Sequence, residues 1–210
     1  MHVLFLNIVF LDQGKNKMTG LELIAQVENL VNENLEFVQK KCQHFSEEQI
    51  NWRPSSNEWS IAHVFAHLNK YANYHHPAVT KKSETTKFRT PTENFISSPL
   101  GRASWKSMKL GRAKNIKRKF KAPPGYNPVN NPELVDGNEV ENFIKQQTEL
   151  LSILDAAKSI NIRKAKVSIS LSRIIKFRMG DAFMFVVNHD ERHIEQIKKL
   201  MNHPNFPKKK

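Results

Sequence analysis

Apolar residues recur at spacings of three and four along four stretches of this chain, the repeat that gives an α-helix one buried face. In the first stretch Leu21, Ile24, Val27, Val31, Leu35, Val38, Cys42 and Phe45 form the stripe. They predict a helix over about 19–45, opened by the capping-box pair Thr19 and Glu22. The second carries Ile61, Val64, Phe65, Leu68 and Ala72 over about 58–76, with Ser55 and Glu58 at capping-box spacing before it and Pro77 read as its stop. The third spans about 137–160 and places Val140, Phe143, Ile144, Gln147, Leu150, Leu151, Leu154 and Ala157 on one side. The fourth, with Asp181 as the expected N-cap, continues to about Asn202 on a stripe of Phe183, Val186, Val187, Ile194, Ile197 and Met201. Residues 165–171 alternate apolar and polar, and are read as an extended linker in preference to a short strand. Four amphipathic helices in 210 residues predict one all-α domain, a four-helix bundle over 19–203.

Periodicity fails between the second and third helices. Residues 78–136 are punctuated by prolines at 91, 99, 123, 124, 128 and 132. This segment is expected to be a long crossover draped over one end of the bundle, with a short basic helix inside 102–121. Residues 1–18 form an N-terminal extension, apolar at first but only half as long as a membrane span. It lacks the basic start and small-residue cleavage site of a signal peptide, and Met18 is a candidate natural start. Residues 204–210 make a basic tail.

Composition narrows the chemistry. Seven glycines and no glycine-rich phosphate loop argue against a nucleotide-binding fold. One cysteine, Cys42, excludes an internal disulfide and points to a reducing, cytoplasmic setting; its place on an apolar stripe marks a buried thiol. The net charge of +13 is concentrated, because nine of the twenty residues from Arg102 to Lys121 are Lys or Arg. Such a segment can attract phosphates, acidic substrates or an acidic partner surface. A nucleic-acid or acidic-partner binding protein acting through 102–121 is therefore the alternative reading, although nucleic acid is not the expected partner.

Two histidine pairs carry the candidate chemistry. His189 and His193 stand four apart on the fourth helix, one turn from each other, and His63 and His67 do the same on the second. His193 sits about 60° and His189 about 100° from the middle of the apolar stripe, at the border of the core. Three imidazoles from such pairs fit a divalent metal with an open position, the catalytic pattern. Deprotonation of a water for hydrolysis and of a thiol for transfer are the two chemistries that use the vacancy. Tyr71 and Tyr74 follow His67 near the same face, where core packing is their default role.

The stretch Trp52-Arg53-Pro54 followed by Trp59 to Leu68, and the stretch Asp181 to Ile197 containing His189-Asp190-Glu191-Arg192-His193, resemble the two signatures of the DinB-like superfamily. The resemblance implies a four-helix bundle with a three-histidine site for a divalent metal, zinc or nickel above others. By position the ligands are His67, His189 and His193, and His63 falls where the family has a non-ligand. Asp190 falls where the family often has Glu; lying near the centre of the apolar stripe, it is expected to support a ligand or act as a base. The resemblance also implies a small-molecule substrate, a low-molecular-weight thiol in some members, and thiol S-transferase or hydrolase chemistry. Bundles of this kind often pair, so a homodimer is an expectation of the resemblance alone.

Overall fold

A computed structural model describes residues 18–208 other than Lys117 and Leu171. The extension expected over residues 1–17 and the last two residues of the basic tail lie outside it. The chain forms helices α1 (Gly20–Lys41), α2 (Glu47–Asn51), α3 (Ile61–Thr85), α4 (Pro99–Met108), α5 (Glu139–Ala157) and α6 (Met179–Met201). A hairpin of β1 (Lys166–Ile169) and β2 (Ser172–Arg178) precedes α6.

The four long helices are those the periodicity predicts, and they make the bundle. α5 and α6 each pack against both α1 and α3, so the order around the ring is α1, α5, α3, α6. Thr19 and Glu22 close the expected capping box on α1. Leu21 leaves the expected stripe and is 49% exposed, whereas Asn34 joins the buried face.

The apolar interior divides into two clusters. One gathers Ile24, Val31, Leu150, Leu154 and Phe183 with the inward face of the hairpin. The other gathers Val38, Phe65, Leu68, Phe143, Ile194 and Ile197. On every long helix the residues between the two clusters include buried polar ones: Asn34 on α1, His75 and His76 on α3, Gln146 and Gln147 on α5, His189 and Asp190 on α6. A polar level therefore crosses the bundle near its middle.

Several expectations are corrected. Pro77 does not stop α3, which continues for two turns to Thr85. Proline removes one backbone donor and crowds the preceding turn, but Val79 and Ser83 beyond it are buried, and this packing holds the helix together. The box at the start of α3 is made by Ser60 and His63 in place of Ser55 and Glu58. The alternating segment is a strand, since β1 pairs antiparallel with β2 from Lys166 opposite Arg178. Val167, Ile169 and Phe177 face the interior, which the single short stripe of β1 did not reveal without its partner.

Asp181 caps nothing on its own helix. α6 begins at Met179, and the fully buried Asp181 carboxylate accepts from both the backbone N–H and the hydroxyl of Ser98, the N-cap of α4. It thus ties the crossover to the bundle. The contact is close: a Cβ on Gly101 would lie 2.2 Å from Asp181 Oδ2, and one on Gly180 would lie 2.4 Å from Phe95. α4, the helix expected inside 102–121, begins earlier and ends at Met108; it lies on α6.

Candidate metal centre

α3 and α6 run side by side, and histidines of the two helices face each other. His67, His189 and His193 bring one ring nitrogen each to within 4.8 Å of the others. His67 Nε2 is 3.3 Å from His189 Nε2. The ring centroids of His189 and His193, one helical turn apart, are separated by 4.6 Å. The sequence-predicted triad is thus assembled, and His63 is left out of it, its Nδ1 lying 2.7 Å from Ser60 Oγ in the α3 cap.

The chain fixes the tautomers of His67 and His193. Tyr126, in the 3-10 turn Pro124–Tyr126 of the crossover, offers its carbonyl 2.6 Å from His67 Nδ1. A carbonyl only accepts, so Nδ1 carries the proton and Nε2 presents a lone pair. Gln196 Oε1, 3.0 Å from His193 Nδ1, does the same for the third ring. Burial keeps these rings neutral. It lowers the pKa of His67 to about 4, against a smaller upward pull from the Tyr126 carbonyl. His189 is held well below the ordinary range by burial first, then by the repulsion its charged form would meet from the other site histidines and Arg192, and His193 likewise, with the Gln196 bond pulling the other way.

His67 Nε2 presents a lone pair 3.3 Å from His189 Nε2, a separation that a shared proton or a cation between the rings satisfies. Zn–N bonds of 2.0–2.1 Å in a tetrahedron place adjacent ligand nitrogens about 3.3 Å apart. The donor set therefore fits a divalent ion of that size, with neutral imidazole ligands, two of which have their outer N–H groups held.

Aromatic rings enclose the triad. Trp59 lies 4.9 Å from His67 and stacks on His193, Tyr71 lies 4.7 Å from His189, and Phe185 is parallel to His189 at 6.0 Å. Burial, with Tyr126 adding to it, raises the Tyr71 phenol to about 12, so it stays protonated. The triad opens into a cavity of about 780 Å³. Its opposite wall is the crossover from Met108 to Pro123, so the segment of unreadable fold shapes the pocket.

The other sequence candidates fall elsewhere. Asp190 is buried and accepts from Gln147 Nε2 at 3.0 Å, facing a cavity of about 10 Å³ that it shares with His75, His76 and Gln147. Burial raises its pKa to about 7, with the Gln147 bond pulling the other way. Neither it nor Glu191 lines the large cavity. Tyr74 donates to Ser168 Oγ on β1, away from the triad. His75 and His76, beside the proline read as the helix stop, are 2% and 3% exposed because α3 runs on past Pro77. Sequence reasoning missed Tyr126, Phe185 and Arg192. The turn signal Pro123-Pro124-Gly125 marks Tyr126 as an ordered bend, but nothing local tells which histidine its carbonyl meets.

A four-helix bundle with a buried three-histidine cluster beside a substrate-sized cavity defines the class. The DinB superfamily model matches residues 31–197, and the chain belongs to that superfamily. An uncharacterized protein of Bacillus subtilis (strain 168), YuaE, is 23% identical over 155 residues, covering 74% of this chain and 85% of its own length. No solved structure matches the chain significantly. Among the described residues no helix is long and apolar enough to cross a membrane.

Proposed function

We propose that this protein is a metal-dependent enzyme in which His67, His189 and His193 hold one divalent ion, zinc or nickel, and a small molecule reacts in the adjoining cavity. The observation that carries the reading is the convergence of three imidazole nitrogens, within 4.8 Å of one another, at the edge of the cavity. When bound, such an ion supplies a Lewis acid that lowers the pKa of a water or thiol placed on it.

Of the two chemistries, transfer of a low-molecular-weight thiol is favoured over hydrolysis. A hydrolase needs a carboxylate or similar base beside the water. Among the described lining residues Glu58 is the only carboxylate, and it accepts from Ser55 Oγ. In thiol transfer the S–H proton leaves to solvent, the sulfur forms the new bond to carbon, and the leaving group of the electrophile departs with its electron pair. Trp59, Phe185 and Tyr71 exclude water, and the protonated Tyr71 can donate to a departing group but cannot take its proton. Asp190 acts as a positioning residue through Gln147 and the polar level behind His189. The reducing setting inferred from Cys42 is compatible with a thiol substrate.

Elemental analysis of protein prepared without a histidine tag is expected to find close to one zinc or nickel ion per chain. His189→Ala should lose the ion and any turnover of thiol with electrophile while keeping its helical circular dichroism. A preparation that carries no ion and takes up neither metal at micromolar concentrations sinks the proposal. The second reading, nucleic-acid binding through 102–121, rests on charge alone, and a salt titration in which loop-neutralised and native protein bind DNA equally poorly removes it.

A further inference from the structure

The charged lining of the cavity is strongly one-signed. Lys119 and Lys121 from the crossover and Arg192 and Lys199 from α6 line it, against Glu58 alone. Among the described residues none of these four cations forms an ion pair with a carboxylate. Lys119 and Lys121 are exposed at the opening.

Arg192 is different. It is 7% exposed, one helical turn from His189 and adjacent to His193. Nη2 donates to the Arg118 carbonyl, which belongs to the crossover, and Nη1 has no partner among the described residues. The Arg118 and Arg192 guanidinium carbons lie 5.0 and 5.4 Å from the Phe120 ring centroid, so this ring bridges crossover and α6. A guanidinium keeps its charge in a protein and is built to grip an oxyanion with two parallel N–H donors. Buried without a counter-charge it carries an unfavourable desolvation term that a docked anion removes. Burial accordingly depresses its pKa.

We propose that Arg192, with Lys119 and Lys121 at the opening, forms a subsite for an oxyanion group, a carboxylate or phosphate, on the substrate whose reacting atom lies at the histidine triad. This inference rests on the triad being the reaction centre, and it deepens that reading by assigning the substrate's charge. The basic crossover then works inside the cavity: its cations are the half of the substrate site that the bundle does not supply. A cavity of about 780 Å³ has room for a ligand that reaches from the anion grip to the triad.

Calorimetric titration of the metal-loaded full chain with succinate and with methyl phosphate tests the subsite and tells the two oxyanions apart. One saturable site is expected for the better of them, weakening as salt rises. K119Q/K121Q, which alters only exposed side chains, should weaken it about tenfold or more, by loss of charge-assisted contacts. R192Q should weaken it further, and the metal content of the lysine variant should equal that of native protein. Equal affinity in native protein and K119Q/K121Q, or no saturable binding of either probe, overturns the subsite. Binding that survives K119Q/K121Q and R192Q but disappears in H189A means that the ion itself takes the anion; the subsite then fails and the metal reading stands. Lysine-dependent anion binding in a chain that takes up no metal supports the subsite and removes the metal reading.

Discussion

Acidification should destabilise the metal-free protein. The perturbation is a shift from about pH 7.5 to about pH 5 in the presence of a chelator, so that protons alone compete for the imidazoles. His67 and His75 titrate near 6.5 in the unfolded chain and at about 4 in the folded one, both chiefly through burial. Between those values the unfolded chain takes up protons that the folded chain refuses, so stability present above about pH 6.5 is lost as pH falls. At about pH 5 each of the two rings gives up roughly 2 kcal/mol relative to about pH 7.5. Asp190 opposes them: with its pKa raised to about 7 by burial, its charge is unfavourable at neutral pH and that cost shrinks on protonation. The same linkage gives it roughly 2–3 kcal/mol of recovery over the interval. His189 and His193 are shifted down as well and add to the loss. The two quantified histidines together outweigh Asp190, and the other two rings enlarge the loss, against a total stability on the order of 5–15 kcal/mol. Urea unfolding followed by circular dichroism at the two pH values reads this as a drop in midpoint at similar slope. A midpoint that stays level or rises on acidification refutes the assignment of these rings as buried and neutral.

Three further outcomes follow from single residues. Gly101→Ala drives a methyl into the Asp181 carboxylate and should lower stability by about 1–3 kcal/mol, measured by urea unfolding; an unchanged midpoint means that the crossover is not clamped there. Pro77→Ala restores a donor inside α3 at an exposed position and should raise the melting temperature, the gain being at most about 3 kcal/mol. A loss instead would show that the proline is held by a compensating contact. Cys42 is 1% exposed and burial pushes its thiol up to about 12; a thiol-modifying dye should leave the native chain untouched and label it stoichiometrically in denaturant.

How much of this was readable in the chain depends on the range over which each signal acts. Helical periodicity is local, so four helices and most of their buried faces follow from spacing, and the i, i+4 pair His189 and His193 follows with them. His67 is singled out by the resemblance to a family motif, since its more central place in the helix separates it only weakly from His63. The features that escaped reading are those decided by distant partners. Pro77 looks like a terminator until Val79 is given a core to enter. Asp181 looks like a cap until Ser98 arrives from eighty-three residues away. β1 needs β2 to become a strand. The crossover between Met108 and Tyr126 has no repeat of its own, and its contributions to the site, the Tyr126 carbonyl and the lysine wall, follow from where the bundle lets it lie.

The belt of amides, imidazoles and one carboxyl across the waist of the bundle dictates how far each rod can slide along its neighbours. Displacing α6 by one turn, about 5.4 Å, would press Asp190 against valine and leucine and strip Gln147 of its acceptor. The carboxyl and the amide would then be buried unpaired, which a uniformly greasy seam would permit at no comparable cost. The waist therefore admits one axial alignment of the rods, and it is this alignment that brings the imidazoles of α3 and α6 to the same height.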